Sequence, residues 1–462
     1  MGYKRYEKYK DSGVEWIGEI PEHWEILKLK NILLINDGGT WGEESDDEEG
    51  TIILRSTEIK IDGSWDLQEP ARRKLSPKEK KRCLLKTGDL LVTKSSGSEQ
   101  HIGKTAIVNK DIERLKCAFS NFMQRLRVNR NTCPKFVYYF INSYVGRTQL
   151  QYLSTTTTGL GNITSQILNA IIIPYGGYDE QTAIANFLDH KTTEIDSLIA
   201  DKEKLIQLLQ EKRQAIITEA VTKGLDPNIP MKDSGVEWIG KIPEHWNITR
   251  VKYICSESAI YGLNETANNY EDEGVRLIRT TDINEYGNLD DKINGVFISE
   301  EKAKGYILKT GDILVSRSGS LGLSLYFDEK KYGKCSYASY LVKFRTNRYN
   351  HPRYLFYFTK SESFYHQIQT ALVSSTISNF NGQKYANMKL PLPSYHEQKA
   401  IANFLDQKTA EIDSLISDIQ NQIAKLKEYR QSLIYEAVTG KIDVRDFTSN
   451  TEGVVLDAKN TN

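Results

Sequence analysis

The chain contains two pairs of nearly identical blocks, separated by stretches that have diverged. Residues 11–26, DSGVEWIGEIPEHWEI, return at 233–248 as DSGVEWIGKIPEHWNI, with fourteen of sixteen positions identical. Residues 180–199, EQTAIANFLDHKTTEIDSLI, return at 397–416 with seventeen of twenty positions identical. A period near 220 residues is far longer than the roughly 20 to 50 residues of a solenoid repeat, so each copy must contain a whole domain and a connecting element. The sequence therefore predicts two like scaffolds that carry two unlike surfaces.

Charge is balanced over the whole chain but uneven along it. The 462 residues include 61 acidic and 61 basic side chains, so net charge neither supports nor excludes a nucleic-acid partner. Residues 43–49 are acidic at six positions, whereas residues 71–116 carry thirteen Lys or Arg against five Asp or Glu. The basic stretch suits either a solvated face or a surface that contacts phosphate, and both interpretations stay open.

Cysteine usage and the N-terminus indicate the compartment. The five cysteines form no CxxC pair and are too sparse for a disulfide framework or a zinc knuckle, which indicates reduced thiols. The segment MGYKRYEKYK has no apolar signal core, and no apolar run reaches the roughly 20 residues of a membrane helix. We therefore expect a soluble, cytoplasmic protein.

The blocks at 180 and 397 open two predicted helices of about 45 residues, each with a heptad pattern of apolar residues. The main apolar seam is predicted at Leu188, Ile195, Leu209, Ile216, Leu405, Ile412, Ile419, Leu426 and Leu433. A companion stripe is predicted at Ile184, Leu198, Leu205, Ile401 and Leu415. Ser394 and Glu397 have the spacing of a capping box, and Gly224 and Gly440 suit left-handed helix ends.

A helix of this length cannot bury an apolar stripe alone. The obvious partner is the other copy, packed antiparallel if the two halves obey a pseudo-two-fold axis. The alternative is two separate helices, each lying on its own domain.

Two strand-rich globular segments, roughly 22–175 and 243–392, complete the pattern. Short apolar runs such as TIILRS at 51–56, GDLLVT at 88–93, GDILVS at 311–316 and AIIIP at 170–174 predict strands. The predicted fold class is α+β, with two mixed α/β domains separated by two long antiparallel helices in a pseudo-two-fold internal repeat. The predicted boundaries are 1–21 for an N-terminal segment, 22–175 for the first domain, 176–230 for a central helical region, 231–392 for the second domain with its preceding repeated segment, 393–446 for a C-terminal helical region and 447–462 for a polar tail.

Catalytic motifs are absent or badly spaced. GSEQHIGKT at 97–105 has one more residue between its glycines than a phosphate-binding loop allows. Asp47, Glu58 and Lys60 imitate a metal-dependent nuclease pattern, but the second copy lacks the lysine. No HExxH, GxSxG or S-adenosylmethionine-binding motif is present, so we predict no metal site and no catalytic residues. His23 and His245 lie beside tryptophans in PEHW turns, which favours structural anchoring of the repeat.

Short hydroxyl, amide and basic side chains follow the predicted strands in both globular segments. Such side chains on loops can contact phosphate oxygens and base edges, although they also populate ordinary turns. The candidate DNA-binding residues are Arg55, Ser56, Thr57, Lys94, Ser95, Ser96, Lys104, Thr157, Asn162, Arg279, Thr280, Thr281, Arg317, Ser318, Ser320, Ser375, Asn379 and Asn381.

The repeated helix opening EQ-x-AIANFLD-x-KT-x-EIDSLI, the SGVEWIG-x-IPEHW block and GDILVSRSG at 311–319 together resemble the specificity subunit of type I restriction-modification systems. The resemblance covers the chain from about residue 8 to about residue 444. It implies two target-recognition domains that each read one half of an asymmetric, bipartite double-stranded DNA site. It also implies that the helices dock two modification subunits, which bind S-adenosylmethionine and methylate adenine, and that restriction subunits requiring ATP and Mg²⁺ join that core. TKSSGSEQHIGKT at 93–105 is looser than VSRSGSLG at 315–322, so residue assignment is weaker in the first domain.

Three hypotheses about function follow. The first is a non-catalytic reader of DNA sequence that binds no cofactor itself and serves as an assembly scaffold. The second is a self-contained methyltransferase or nuclease, and the third is a scaffold that never touches DNA. Catalytic turnover by the isolated chain would favour the second, and absence of sequence-specific protection of DNA would favour the third.

Overall fold

The computed structural model describes residues 3–45, 50–95, 102–156, 159–160, 162–290, 292–373 and 380–447. The chain divides into two compact units. Unit 1 consists of Met1–Asp201 with Asn421–Asn462, and unit 2 consists of Lys202–Gln420. Each unit thus contains one globular domain, part of each long helix and one copy of the PEHW segment.

The secondary structure follows the sequence repeat. The strands before residue 176 are β1 (Tyr9–Asp11), β2 (Glu19–Pro21), β3 (Glu25–Lys28), β4 (Leu33–Gly38), β5 (Glu43–Glu44), β6 (Thr51–Leu54), β7 (Ala71–Lys74), β8 (Leu90–Thr93), β9 (Thr105–Ile107), β10 (Ala118–Phe119), β11 (Met123–Val128), β12 (Thr155–Thr156), β13 (Gly159–Leu160) and β14 (Ile172–Tyr175). The later strands are β15 (Met231–Asp233), β16 (Lys241–Pro243), β17 (Asn247–Arg250), β18 (Cys255–Tyr261), β19 (Val275–Ile278), β20 (Val296–Ile298), β21 (Asp312–Ser316), β22 (Ser324–Tyr326), β23 (Cys335–Tyr337), β24 (Leu341–Thr346) and β25 (Lys389–Leu392). The α-helices are α1 (Pro77–Cys83), α2 (Lys110–Arg114), α3 (Pro134–Asn142), α4 (Tyr144–Ser154), α5 (Ser165–Ala170), α6 (Tyr178–Lys223), α7 (Val251–Ile254), α8 (Glu300–Ala303), α9 (Glu329–Tyr332), α10 (Pro352–Phe358), α11 (Glu362–Val373), α12 (Gly382–Ala386) and α13 (Tyr395–Val438).

Each globular domain is built on a four-stranded antiparallel sheet and a second sheet, which has four strands in the first domain and three in the second. The four-stranded sheets have the strand orders β4-β11-β8-β9 and β18-β24-β21-β22. The second sheets, β10-β6-β7-β5 and β20-β19-β23, each contain one parallel pair, β6 with β10 and β19 with β23. Met123 lies opposite Thr93 and Leu341 opposite Ser316, so the two domains share one register. The predicted α+β fold is therefore confirmed, and the four apolar runs singled out in the sequence contain strands β6, β8, β21 and most of β14.

One buried ion pair holds the same two strands together in both domains. Arg127 on β11 binds Asp89 with an Nε–Oδ1 distance of 2.6 Å, and Arg345 on β24 binds Asp312 at 2.6 Å. Both aspartates are fully buried, and both arginines therefore compensate a carboxylate that water cannot reach. The pKa of each arginine is raised, chiefly by the hydrogen bond to its aspartate.

The two long helices have the predicted length and ends. Helices α6 and α13 contain 46 and 44 residues. Ser394 and Glu397 form the predicted reciprocal cap, in which Glu397 accepts from the Ser394 backbone N–H at 3.0 Å. Gly224 and Gly440 follow the helix ends with φ of +79° and +69°, where a residue with a Cβ would be strained.

Most of the predicted seam is buried. Leu188, Ile195, Leu405, Ile412, Ile419 and Leu433 are buried, and Leu209, Ile216 and Leu426 are partly buried. In unit 2, Ile216 packs against a core cluster that includes Ile217 and Leu405.

The predicted companion stripe is partly wrong. Ile184 and Ile401 are buried, but Leu198, Leu205 and Leu415 are 50%, 45% and 51% exposed. The buried neighbours of the seam are instead Ile199, Ile416 and Ile423. On a helix, the residues three and four positions away from a seam residue both lie next to it, on its two sides. The spacing alone therefore does not determine which side packs inward.

The helices run antiparallel within each unit. In unit 1, Asp196 of α6 accepts a hydrogen bond from Arg430 of α13 at 3.2 Å, while Glu180 near the start of α6 lies 4.0 Å from Arg445 beyond the end of α13. In unit 2, Arg213 of α6 binds Asp413 of α13 at 2.8 Å. Ala220, nearer the end of α6, lines one cavity with Phe404, nearer the start of α13.

The PEHW turns have a structural role, as the sequence predicts, and the structure adds that they anchor the helix ends. Trp24 and His23 both contact the Glu180 carboxylate in the first turn of α6, with Nε1–Oε2 and Nε2–Oε2 distances of 2.8 and 3.1 Å. Trp246 and His245 contact Glu397 of α13 in the same way, at 3.0 and 2.8 Å. A Cβ at Gly440 would lie 3.2 Å from Trp24, and one at Gly224 would lie 3.2 Å from Trp246. Each tryptophan thus joins the start of one long helix to the end of the other within its own unit.

Each globular domain is fixed to a long helix by contacts that recur in both units. The Tyr139 hydroxyl donates to Asp189 of α6 at 2.7 Å, and the Tyr357 hydroxyl donates to Asp406 of α13 at 2.6 Å. Lys135 and Arg353 form ion pairs with the same two aspartates. Burial raises the pKa of Tyr357 to about 12, which extends the pH range over which its hydroxyl stays protonated and able to donate.

Candidate nucleic-acid interface

In unit 1 two of the segments that carry candidate DNA-binding residues meet at one β-turn, Ser120–Met123. The turn is closed by a hydrogen bond of 3.0 Å from the Met123 N–H to the Ser120 carbonyl. The Ser120 N–H donates to the carbonyl of Leu54, the residue before Arg55, at 2.9 Å. The Lys94 N–H donates to the Phe122 carbonyl at 2.9 Å. The turn therefore lies between the segments that carry Arg55 and Lys94.

Unit 2 has the same arrangement around the turn Ala338–Leu341. The Leu341 N–H closes the turn on the Ala338 carbonyl at 2.9 Å, and the Ala338 N–H donates to Ile278, the residue before Arg279, at 2.9 Å. The Arg317 N–H donates to the Tyr340 carbonyl at 2.9 Å. Two predicted segments thus converge at equivalent places in both units.

The third candidate segment, which carries Asn162 in unit 1 and Asn381 in unit 2, bonds to the backbone of Lys94 or Arg317. These three segments and the turn are called the recognition cluster of each unit. The Lys94 carbonyl accepts from the Ile163 N–H at 3.0 Å, and the Arg317 carbonyl accepts from the Phe380 N–H at 3.2 Å. Asn162 and Asn381, which flank these donors, are exposed. The candidates Ser96, Thr157, Ser375 and Asn379 lie outside the described residues.

Arg55 and Arg279 each form an ion pair with the acidic residue three positions later in the chain. Arg55 donates to Glu58 through its backbone N–H and its Nη2, both at 2.5 Å, and Arg279 makes the matching bonds to Asp282 at 2.7 Å. Burial alone would raise the pKa of Glu58, but the hydrogen bonds from Arg55 and Thr57 together hold it below its usual value. These pairs stabilise the turns after β6 and β19, and contact of either arginine with DNA stays a prediction.

Lys94 and Arg317 supply positive charge beside the turns. Both are partly buried, and desolvation lowers the pKa of Lys94. Arg317 donates from Nε to the carbonyl of Ser339, inside the turn, at 3.0 Å, and its guanidinium lies 5.0 Å from the centre of the Tyr261 ring. Arg317 is therefore held in place with its charge next to the turn.

The hydroxyl candidates differ in exposure. Thr57, Thr281 and Ser320 are exposed. Ser56, Ser95, Thr280 and Ser318 are partly buried. The Thr57 hydroxyl donates to Glu58 at 2.9 Å. Contact of these residues with DNA stays a prediction.

Lys104 is not exposed on the candidate interface. Its side chain is buried, its ammonium donates to the Ile59 carbonyl, and desolvation lowers its pKa. This contact gives Lys104 a structural role in joining β9 to the segment after β6, and its contact with DNA stays a prediction.

The sequence did not single out the two turns themselves. Phe122 and Tyr340 occupy the third position of each turn and are exposed. The only signal was an aromatic residue immediately before an apolar strand in both copies, within SNFMQRL and ASYLVKF. Aromatic residues also precede strands that bury them, so the pattern did not distinguish a displayed ring from a core ring.

The interface contains polar and basic groups without a catalytic constellation among the described residues. No group of three or more His, Cys, Asp or Glu side chains in the described part of the chain could hold a metal ion. Glu58, one of the three residues of the nuclease-like sequence pattern, accepts a hydrogen bond from Arg55. Asp47 of the same pattern lies outside the described residues. None of the described helices is long and apolar enough to cross a membrane.

Comparison with known proteins identifies the repeated domain. The family model for the type I restriction modification DNA specificity domain matches residues 21–208 and again residues 243–425. The putative type I restriction enzyme MjaX specificity subunit of Methanocaldococcus jannaschii is 25% identical over 443 residues, which cover 93% of this chain and 96% of that protein. The type I restriction enzyme EcoKI specificity subunit of Escherichia coli is 24% identical over 440 residues, covering 92% and 90%.

Solved structures show the same fold. One chain from a structure that describes complex assembly and conformational transition of the type I R-M system gives a TM-score of 0.69 at 16% identity, covering 92% of this chain and 99% of its own. The HsdS subunit from Thermoanaerobacter tengcongensis gives a TM-score of 0.51 at 17% identity, covering 92% and 98%.

Proposed function

The chain belongs to the family of type I restriction-modification specificity subunits, with the DNA specificity domain present twice, and from this premise we propose that its two domains read the two unlike halves of an asymmetric DNA site. As a specificity subunit it is a non-catalytic component of the restriction-modification complex. The observation that carries the proposal is the convergence of two polar segments on one β-turn in each unit, with a third bonded to the basic residue beside the turn. The backbone bonds are the same in both units and the side chains differ.

The difference between the two clusters supports unlike half-sites. Lys94 stands where the second cluster has Arg317, and Phe122 stands where it has Tyr340. Lysine presents a point charge, whereas arginine presents a planar fork that can bind a guanine edge through two hydrogen bonds. One backbone frame with different side chains is therefore suited to two different base sequences rather than to a palindrome.

Two readers on one chain also explain how short half-sites can give adequate specificity. A mismatched base pair costs about 1 to 3 kcal/mol, so a single domain that covers a few base pairs discriminates modestly. Two linked domains combine their discrimination, provided that both half-sites can be engaged together. The chain then selects for the distance between half-sites as well as for their bases.

The partners we propose are two modification subunits and the restriction subunits that join them. Leu198 in unit 1 and Leu415 in unit 2 occupy the same position of the repeated helix block, and each exposes half of its side chain. Equivalent apolar positions in nearly identical sequence suit two copies of one partner. We assign S-adenosylmethionine and adenine methylation to the modification subunits, and ATP and Mg²⁺ to the restriction subunits.

The test is methylome sequencing of DNA from cells that express the chain with its modification subunits. We expect methylated adenine in one bipartite motif with two different halves, which disappears when the chain is deleted. A motif that persists after deletion would contradict the proposal. The purified chain alone, incubated with DNA, S-adenosylmethionine, ATP and Mg²⁺, should neither methylate nor cleave, and turnover by it would favour a self-contained enzyme.

A further inference from the structure

Each recognition domain displays an aromatic ring at the centre of its cluster. Phe122 is 56% exposed and Tyr340 is 58% exposed, and each is the third residue of the turn on which the predicted segments converge. An aromatic ring that is exposed to water does not contribute the stabilising free energy of folding that its burial would give. Two such rings at the same place in both domains therefore call for an explanation.

The two rings correspond through the register of the strands. Met123 and Leu341, which follow them, lie opposite Thr93 and Ser316, the last residues of β8 and β21. Other exposed tyrosines of the first domain have no aromatic counterpart in the second. Tyr144 and Tyr152 correspond to Glu362 and Thr370 along the matching helices α4 and α11. Tyr178 and Tyr395, 49% and 43% exposed, recur at the starts of α6 and α13, outside the globular domains. Within the described parts of the two globular domains, Phe122 and Tyr340 are the exposed aromatic residues that recur at equivalent positions.

A glycine lets a neighbouring segment of backbone pack closely beside each turn. A Cβ at Gly39 would lie 2.1 Å from the Phe119 carbonyl oxygen, and a Cβ at Gly262 would lie 2.3 Å from the Tyr337 carbonyl oxygen. Only a residue without a side chain allows this approach of the backbone to the turn. The Thr40 and Leu263 N–H groups bind the same two carbonyls at 2.9 and 2.8 Å. The rings are therefore presented on a fixed frame, which reduces the entropy lost when they bind a partner.

The basic residues beside the turns indicate the chemistry of that partner. Lys94 and Arg317 bond to the turn carbonyls of Phe122 and Tyr340 through their own backbone N–H groups, so one basic residue adjoins each ring-bearing residue. A ring with an adjacent cation matches a nucleotide, whose base offers a flat π face and whose phosphate offers a negative charge. DNA-binding proteins use exposed apolar and aromatic side chains to stack on bases or to insert between them.

We propose that Phe122 and Tyr340 stack on bases, one in each half of the target site, and that Lys94 and Arg317 contact the same nucleotides. The inference rests on the proposed function and adds the residues that contact the bases by stacking. Because each ring belongs to one domain, loss of one ring affects one half-site and leaves the other half-site intact.

The experiment uses the chain assembled with its modification subunits and a duplex that carries the motif defined by the wild-type methylome. Replacing the ring by Phe122→Ala or Tyr340→Ala should weaken binding roughly tenfold to a hundredfold, the range expected for one lost base stack. Phe122→Tyr and Tyr340→Phe should bind as the wild type does, because both keep a stacking ring. Phe122→Leu should bind weakly although it keeps apolar bulk, and wild-type affinity of this variant would overturn stacking.

Tyr144→Ala and Tyr349→Ala are matched controls, because they remove exposed rings away from the turns in the first and second domains. The inference is overturned if Phe122→Ala and Tyr340→Ala bind DNA as tightly as these controls while the wild type still reads its motif. It is also overturned if they weaken assembly with the modification subunits at unchanged melting temperature, since the turns would then be protein contacts. Failure of the wild type to read any motif would instead contradict the proposed function itself.

Discussion

Glu180 and Glu397 perform one task at the start of each long helix. Each carboxylate accepts hydrogen bonds from the tryptophan of a PEHW turn and contacts the neighbouring histidine, which ties the repeated segment to the helix. Burial alone would raise the pKa of Glu397, but hydrogen bonds from Trp246, His245 and Ser394 outweigh it and lower the pKa to about 2. The charged form of Glu397 is thus favoured by folding.

The depressed pKa of Glu397 predicts a loss of stability in acid. The contribution of Glu397 to the free energy of unfolding is fully present above the ordinary glutamate pKa. It is lost as pH falls from about 4.5 towards 2. We expect Glu397→Gln to lower the melting temperature at pH 7, and we expect the difference from the wild type to shrink at pH 3, as measured by thermal unfolding. The exposed Glu428→Gln on the same helix is the control, and it should leave the melting temperature unchanged at both values. An equal effect of Glu397→Gln at pH 7 and pH 3 would contradict the assignment.

The two long helices combine a buried seam with an exposed outer face. Helix length, caps and main seam could be predicted from the heptad pattern and from Ser394, Gly224 and Gly440, because these features depend on local sequence. The side on which the companion stripe packs could not be predicted, since Leu198 and Ile199 are equally apolar and only the partner helix decides which is covered. The contact of Glu397 with the PEHW turn was also beyond prediction, because it joins residues more than 150 positions apart.

Helix packing gives a matched pair of substitutions within one turn of α6. Ile195 is 5% exposed, whereas Leu198 is half exposed. Ile195→Asp should destabilise unit 1 by about 3 to 5 kcal/mol, from lost apolar burial and a buried charge without a partner. Leu198→Asp should leave the melting temperature close to that of the wild type and should weaken binding of the modification subunit instead. Thermal unfolding and a pull-down of the modification subunit measure the two effects, and the reverse pattern would show that the seam is assigned to the wrong face.

Over the whole molecule, two copies of one frame differ where they are expected to meet DNA. The repeat, the α+β class and the family could be predicted because identical blocks and strand patterns persist in the sequence. The candidate segments after β6 and β8 were singled out from the sequence, and their contact with DNA stays a prediction. Their convergence and the turn between them were missed, because both depend on backbone bonds between residues far apart in sequence.

Exchange of one domain tests whether the two domains read their half-sites independently. Residues 22–175 are replaced by the first domain of a relative with a different motif, and the methylome of cells expressing the hybrid with the modification subunits is sequenced. We expect one half of the bipartite motif to change to that of the relative, and the other half and the distance between them to stay as in the wild type. A change in both halves would contradict two independent readers on one chain.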